Sequence, residues 1–541
     1  MIVPRAQAEN IVVTTPGKPA SRLARYRGAL YPLFNLGAFL AVLGGMAVHG
    51  AEPGAVVYVV ALVAICSTPM LFLRHWNDRY ALLAVFMAMY FLFFGALDLS
   101  TVLLGSEVPV VRPAFLTSAE IAILFGGVLV LAGYLAGVRL GRRTGPATPP
   151  AEWSDGTILF LGLTLWLAGT ASILYFQVFA VPEKSNASAR SAFEMMGPLL
   201  TFAVMLGHMV QPLGILILAY GYAKRRGSLW LALIMTVVMT GVFVGFVTDV
   251  KRIALLGAAL VVMTRILVDN KLPKVWIASS IVAIALLFPI FQAYRSAIEG
   301  DRGLDRAHAI QELGRVLEIA LAARDKEESR EVPGERAQSF VERSSVKASL
   351  EEVFDHAGVD VPYLQGSSLV ALPMAFVPRL LVPDKADVSV GQLYTHKIAK
   401  ADTDTYISIS HLGELYWNFG WLGVLPCMTV YGVLLGFVGG RYNLEGGSSV
   451  TRILVLLVTA QSLCIGFEGT IPISYSLWLR SMAAIGLLHL VCARSANATA
   501  KAATTKAPAV GQPPAQVASS ARAGVLLPAS PPAPRFPNMM S

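Results

Sequence analysis

Charged residues are scarce in this sequence. Asp, Glu, Lys and Arg make up 14% of the 541 residues, while 55% of the residues are hydrophobic. A soluble domain has about 25% charged residues, so the composition excludes a soluble globular protein. The apolar residues are grouped in blocks of about 20, the length that an α-helix needs to cross a bilayer, and the short alternating segments of a closed barrel are missing. The composition therefore predicts an all-α, polytopic transmembrane helical bundle.

Cysteine and the common catalytic motifs are also scarce. The four cysteines, Cys66, Cys427, Cys464 and Cys492, form no CxxC pair and lie in or beside apolar blocks, where they are interpreted as small buried hydrophobic residues. We therefore predict no metal site and no cofactor. The sequence has no P-loop, GxSxG or HExxH motif, which argues against an ATP-driven machine and a hydrolase. The net charge of +9 comes without aromatic residues interleaved in basic runs, so nucleic acid is not an expected partner.

Twelve apolar blocks predict about twelve membrane helices. They lie at about 31–49, 54–73, 80–98, 119–138, 156–180, 197–222, 229–247, 252–269, 275–293, 418–440, 450–467 and 474–492. The predicted organisation is a polar N-terminal segment at 1–28, transmembrane helices 1–9 at 29–293, a large loop at 294–417, helices 10–12 at 418–492 and a disordered tail at 493–541.

The distribution of basic residues predicts the orientation. If the N-terminus is cytoplasmic, the short inside segments hold 21 Lys and Arg and the short outside segments hold 5. This bias predicts that both termini are cytoplasmic and that the large loop is external. Lys251 and Arg252 are exceptions, because they lie at a tight outward turn between two helices. A turn with two cations there is interpreted as an anion site.

The large loop is rich in charge and has a net charge of about −5 between Tyr294 and Ser410. Residues 304–325 predict an amphipathic helix, which lies either on the membrane interface or against the rest of the loop. Ser349 and Glu352 have the spacing of a capping box, which predicts the start of a second short helix.

The strongest candidate site lies at residues 370–423, directly before an apolar block. In PRLLVPDK, one proline directly precedes Arg379 and a second lies two residues before Lys385, which predicts a stiff cationic loop. In HLGELYWNFGWLG, the spacing of His411, Glu414 and Asn418 places them on one face of a helix. Glu414 is interpreted as a general base or as the partner of an Arg, because a carboxylate near hydrocarbon needs compensation. His411 is either a second candidate base or a hydrogen-bonding residue.

Three further arginines are candidates. Arg295 and Arg302 follow the ninth apolar block. Their guanidinium groups either bind a diphosphate or extend to the lipid headgroups. Arg480 lies inside the twelfth block, where it has a functional role or forms an ion pair with Glu468.

These segments resemble a known family. A PR-x3-P-x-K segment, a variable interval and GELYWNFGWLG at the start of a membrane helix are similar to the bacterial oligosaccharide repeat-unit polymerases, which are the O-antigen and exopolysaccharide polymerases of the Wzy type. The Tyr294–Arg295 pair after one helix, Arg252 at the start of another and the large late loop also resemble that family. The resemblance covers roughly residues 30–492.

The resemblance implies a metal-independent, membrane-embedded glycosyltransferase fold in the bacterial inner membrane. Such an enzyme joins undecaprenyl-diphosphate-linked oligosaccharide repeat units into a cell-surface or secreted polysaccharide at the periplasmic face. The implied partners are this substrate, membrane lipids, a chain-length regulator and a flippase. The implied roles are proton acceptor for Glu414 or His411, diphosphate binding for Arg379, Arg295, Arg252, Lys385 and Lys251, and acceptor lining for Tyr416, Asn418, Arg302 and Arg480.

Two alternatives stay open. An O-antigen ligase would share this layout and differ only in its acceptor. A transporter of lipid-linked oligosaccharide or polysaccharide would have charges in the middle of its helices and two repeated halves. The sequence has no internal repeat, and its charges concentrate at the predicted outer face.

Overall fold

The computed structural model describes residues 22–50, 52–104, 115–144, 153–176, 197–248, 251–283, 314, 318, 345–375, 382, 390–401, 406–445 and 447–506. The chain divides into two units, Met1–Ala493 and Arg494–Ser541. Of the predicted sites and segments, the amphipathic helix at 304–325 lies almost entirely outside the described residues.

The described residues are helical and contain no β-strand. The helices are α1 Arg22–His49, α2 Pro53–Ser67, α3 Pro69–Phe72, α4 Ala81–Phe94, α5 Ala96–Leu104, α6 Ser118–Arg143, α7 Asp155–Leu174, α8 Gly197–Arg225, α9 Ser228–Thr248, α10 Lys251–Asp269, α11 Lys274–Ala283, α12 Lys347–His356, α13 Ser367–Ala375, α14 Val390–Lys397, α15 Ser410–Phe419, α16 Trp421–Tyr442, α17 Val450–Thr459 and α18 Ile471–Lys506. α17 continues as a π-helix, Ala460–Ile465, and a 3-10 turn, Gly466–Glu468. The end of α18 extends into the segment predicted to be disordered.

The prediction of a multi-pass, all-helical membrane protein is confirmed. Within the described part of the chain, eight helices are long and apolar enough to span a membrane, or nine if the bent pair α4 and α5 counts as one span. The count of twelve stays a prediction, because blocks such as 275–293 extend into residues that are not described.

Glycines allow α6 and α16 to pack closely. They recur every four residues, as Gly133, Gly137 and Gly141 on α6 and Gly432, Gly436 and Gly440 on α16. A Cβ added at any of these six would come within 3.0 Å of a backbone oxygen of the other helix. Small residues at this spacing are typical of membrane helices that associate by backbone contact. Gly133 meets Thr429, Gly137 meets Val433 and Gly141 meets Phe437, so the two helices run parallel.

The end of the large loop folds against the bundle. α12 begins at Lys347, with Val346 at the N-cap position, so the predicted capping box at Ser349 and Glu352 is wrong. Glu352 instead accepts a hydrogen bond from the Tyr394 hydroxyl of α14. The helix begins at Lys347, two residues before Ser349, because the Lys347 ammonium binds carboxylates of two membrane helices in a buried ion cluster.

That ion cluster joins the loop to α5 and α6. The Lys347 ammonium lies 2.9 Å from Asp98 Oδ2 and 2.6 Å from Glu120 Oε1, and it sits 4.2 Å from the centroid of the Tyr58 ring. Lys347, Asp98 and Glu120 are all buried. Buried charges are tolerated only when they are paired, so the cluster fixes where α12 meets the bundle.

Candidate functional site

α15 carries the predicted site residues on its buried face. His411, Glu414 and Asn418 are 1%, 0% and 1% exposed. All three belong to the single helix Ser410–Phe419, so the prediction that their spacing of three and four residues places them on one helical face is confirmed. Both ends of α15 lie at left-handed backbone positions, Ser410 with φ +61° and Gly420 with φ +59°. The position at Gly420 suits glycine, whereas Ser410 has a strained conformation directly before His411.

The Glu414 carboxylate is held by two neutral donors. Ser368 Oγ donates to Glu414 Oε1 over 2.7 Å, and the backbone N–H of Ile471 donates to Oε2 over 2.7 Å. Ile471 is the first residue of α18, where backbone N–H groups have no partner inside the helix and favour a negative charge. The predicted alternative, an Arg partner for Glu414, is not among the contacts that the structure describes for this carboxylate.

Asn418 completes the same network. Its side-chain amide donates to Ser368 Oγ over 2.8 Å and to the Glu414 carbonyl over 2.7 Å, and its Oδ1 accepts from the Gly366 N–H over 2.9 Å. Every polar atom of this side chain therefore has a partner. The network ties α15 to the start of α13, so Asn418 positions Ser368 and the Glu414 backbone.

Burial changes the acidity of Glu414. Desolvation raises its pKa to about 7, although the hydrogen bonds from Ile471 and Ser368 act in the opposite direction. A carboxyl with a pKa near 7 exchanges its proton easily at physiological pH, which is the property of a general acid or base.

His411 lies in an aromatic cage on the same face. The rings of Phe467, Tyr431 and Tyr475 have centroids 4.9, 5.8 and 6.0 Å from the imidazole centroid. In the described part of the chain, neither ring nitrogen has a well-formed hydrogen bond. Burial lowers the His411 pKa to about 3, and the backbone of Thr470 opposes this effect less strongly. A neutral imidazole with so low a pKa is a weak base, so Glu414 is the better candidate for proton transfer.

His411→Phe is expected to increase acid stability. The pKa of His411 is about 3 in the folded protein and about 6.5 in the unfolded chain, so the unfolded chain binds more protons between these values and stability falls as the pH falls. The variant should be about as stable as wild type at pH 7 and roughly 3 kcal/mol more stable at pH 4. Thermal unfolding in detergent at both pH values measures this difference, and an equal advantage at both would contradict a buried, neutral His411.

Tyr416 lies on the partly exposed side of α15. Its ring stacks on Phe354 with centroids 3.6 Å apart and meets Trp421 and Tyr363 at 6.2 and 6.3 Å. Burial raises its pKa. These contacts anchor α15 to α12 and α16, and the Tyr416 side chain remains partly exposed.

None of the described contacts joins the other predicted site residues to Glu414. Arg480 is half-buried in α18, nine residues after Ile471 and therefore about 14 Å further along the helix axis. Lys251 and Arg252 are the first residues of α10, two residues after α9 ends, as the predicted tight turn requires, but their side chains lie outside the described part. Arg295, Arg302, Arg379 and Lys385 also lie outside the described residues.

The structure also shows site residues that the sequence did not indicate. Ser368 and the Ile471 backbone belong to segments 46 and 57 residues away from Glu414, and no motif marks them.

The described residues contain no group of three or more His, Cys, Asp or Glu that could hold a metal ion. Comparison with family models, curated proteins and solved structures finds no match to this chain.

Proposed function

We propose that this protein polymerises polyprenyl-diphosphate-linked oligosaccharide repeat units into a cell-surface or secreted polysaccharide at the periplasmic face of the inner membrane. The observation that carries the proposal is Glu414, a buried carboxyl with a pKa near 7 that lies directly before a membrane helix. Its two hydrogen-bond donors in the described part of the chain, Ser368 and the Ile471 N–H, are both neutral. The resemblance of the segments around it to repeat-unit polymerases supplies the substrate class.

In the proposed reaction, a hydroxyl of the acceptor sugar attacks the anomeric carbon of the donor. The bond between this carbon and the diphosphate oxygen breaks, and the lipid diphosphate leaves with the bonding electrons. Glu414 takes the hydroxyl proton, which general base catalysis requires. Its two described partners, a hydroxyl and a backbone N–H, do not neutralise its charge, so the carboxyl is free to accept that proton near neutral pH.

Cationic side chains would neutralise the leaving diphosphate. Arg379, Lys385, Arg295, Arg252 and Lys251 are the proposed set, because guanidinium and ammonium groups stabilise the developing charge. The acceptor sugar would meet Tyr416, Arg302 and Arg480, with Asn418 as a positioning residue for Glu414 and Ser368. Both termini are proposed to be cytoplasmic, and a flippase and a chain-length regulator are proposed partners.

The proposal is tested with the purified protein in detergent and EDTA. It receives an undecaprenyl-diphosphate-linked repeat unit from the native host, and the products are separated on a gel, with wild type beside Arg379→Ala. A ladder from wild type and none from the variant is expected. If both proteins produce a ladder of glycan bands, the diphosphate must instead be bound by Arg295 or Arg252. Folded wild type without any ladder would contradict the polymerase, and a lipid A core acceptor would then test a ligase.

A transporter of lipid-linked glycan is the second candidate, because two membrane helices near the site are broken. α4 and α5 meet at a bend of 56°, and α17 passes through a π-helix before it ends beside His411. Broken helices and π-helices are frequent at functional sites, including those of transporters. Proteoliposomes distinguish the two, because a transporter moves the lipid-linked unit across the bilayer and leaves its length unchanged.

A further inference from the structure

A cavity of about 600 Å³ lies between α16, α17 and α18. It is lined by the last three turns of α16, the first two turns of α17 and the stretch of α18 from Trp478 to His489. These ends of α16 and α17 are the ones predicted to face the cytoplasm. The cavity does not contain Glu414 or any other residue proposed for glycan transfer.

One end of the cavity is basic. Arg441 lies in the last turn of α16 and Arg452 in the first turn of α17. His489 of α18 joins them, with its Nδ1 3.4 Å from Thr451 Oγ1. Arg452 also donates to two carbonyl oxygens of the loop between α16 and α17, which fixes its position. In the part of the chain that the structure describes, no Asp or Glu lines this cavity.

The other end is apolar and elongated. Its walls include Leu434, Val455, Trp478 and Ile485. Trp478 and His489 are eleven residues apart on α18, which corresponds to about 16 Å along the helix. This length is about half of the ~30 Å hydrocarbon core, so the cavity is long enough to cross one leaflet.

Gly486 leaves part of the wall open. It lines the cavity, is exposed, and a Cβ added there would meet nothing within 4 Å. A larger side chain at this position therefore occupies cavity space without a clash with the helices.

We propose that this cavity binds one anionic phospholipid of the cytoplasmic leaflet. The phosphate lies between Arg441, Arg452 and His489, and one acyl chain follows the apolar wall toward Trp478. Guanidinium groups bind phosphate oxygens through paired N–H···O bonds, and basic pockets between membrane helices on the cytoplasmic side bind anionic headgroups. A free phosphate ion would use the basic end alone, whereas a phospholipid uses both ends. The site is independent of the proposed glycan transfer.

Native mass spectrometry of the delipidated full-length protein tests the proposal. The protein is titrated with phosphatidylglycerol, and the tightest lipid adduct is followed. Arg441→Gln should weaken this adduct about tenfold or more, because a charge-assisted contact is lost. Gly486→Leu should remove the adduct although all three basic residues remain. The two variants act through different ends of the cavity, so a folding defect in one leaves the other as a test.

Arg143→Gln is the matched control. Arg143 is an exposed residue in the last turn of α6, on the same predicted side of the membrane but outside the cavity, and its loss should leave the adduct unchanged. Equal binding of phosphatidylglycerol and phosphatidylcholine would overturn the proposal. So would displacement of the lipid by excess inorganic phosphate together with unchanged binding in Gly486→Leu, because the site would then hold phosphate alone.

Discussion

Glu414→Gln is expected to lower the rate of polymer formation at least ~100-fold while the protein remains folded. Gln has the same shape as Glu and still accepts a hydrogen bond from the Ile471 N–H, but it cannot take a proton from the acceptor hydroxyl. The neutral amide also avoids the free-energy cost of burying a charged carboxylate, the effect that raises the Glu414 pKa to about 7. Initial rates of ladder formation by purified wild type and variant measure the effect.

The pH dependence of wild type provides the control for this variant. The unprotonated carboxylate is the active form of a base, so the wild-type rate should rise from pH 6 to pH 8 with a midpoint near the pKa of about 7. The residual rate of Glu414→Gln should lack this rise. The free energy of unfolding changes in the opposite direction to the rate. Because Glu414 binds its proton more tightly in the folded protein than in the unfolded chain, the protein loses stability as the pH rises through about 7. A variant with the wild-type rate would exclude Glu414 as the base.

Lys347→Met is expected to destabilise the protein by about 3–5 kcal/mol, because it leaves two carboxylates buried together. Lys347 contacts both Asp98 and Glu120 at hydrogen-bond distance, and all three side chains are buried. Thermal unfolding in detergent measures the loss. Because the cluster joins α12 to the bundle, protease accessibility of the large loop should also increase.

Lys400→Met is the matched control for Lys347. Lys400 belongs to the same loop and pairs with Asp360 at 3.5 Å, but its side chain is 68% exposed, so its loss should leave the unfolding temperature nearly unchanged. Adding Asp98→Asn and Glu120→Gln to Lys347→Met should restore most of the stability, because the buried negative charge is then removed. Similar losses in Lys347→Met and Lys400→Met would contradict a buried cluster.

Local patterns in the sequence were sufficient to predict a multi-pass, all-helical membrane protein and the shared helical face of His411, Glu414 and Asn418. The spacing of His411, Glu414 and Asn418 is a property of one helix, so it needs no knowledge of the rest of the fold. The glycine repeats of α6 and α16 have the same local character and could have been found in the sequence as four-residue repeats.

The partners of these residues could not be predicted from local patterns. Glu414 meets Ser368 and Ile471 only after α13 and α18 pack beside α15, and Lys347 lies 249 residues from Asp98 in sequence. Asp98 and Glu120 lie at the ends of apolar blocks, and this position could have marked them in the sequence as carboxylates that need a partner. The sequence could not name Lys347 as their partner, since the loop holds fourteen basic residues between Tyr294 and Ser410.

The proposed mechanism depends most directly on the protonation state of Glu414. Infrared difference spectra of wild type minus Glu414→Gln, recorded in lipid between pH 3.5 and pH 9, isolate the carboxyl band of this side chain. We expect the protonated band to disappear with a midpoint near the pKa of about 7. A midpoint near the ordinary glutamate pKa of 4.5 would mean that Glu414 is a solvated carboxylate and would contradict its role as a buried base.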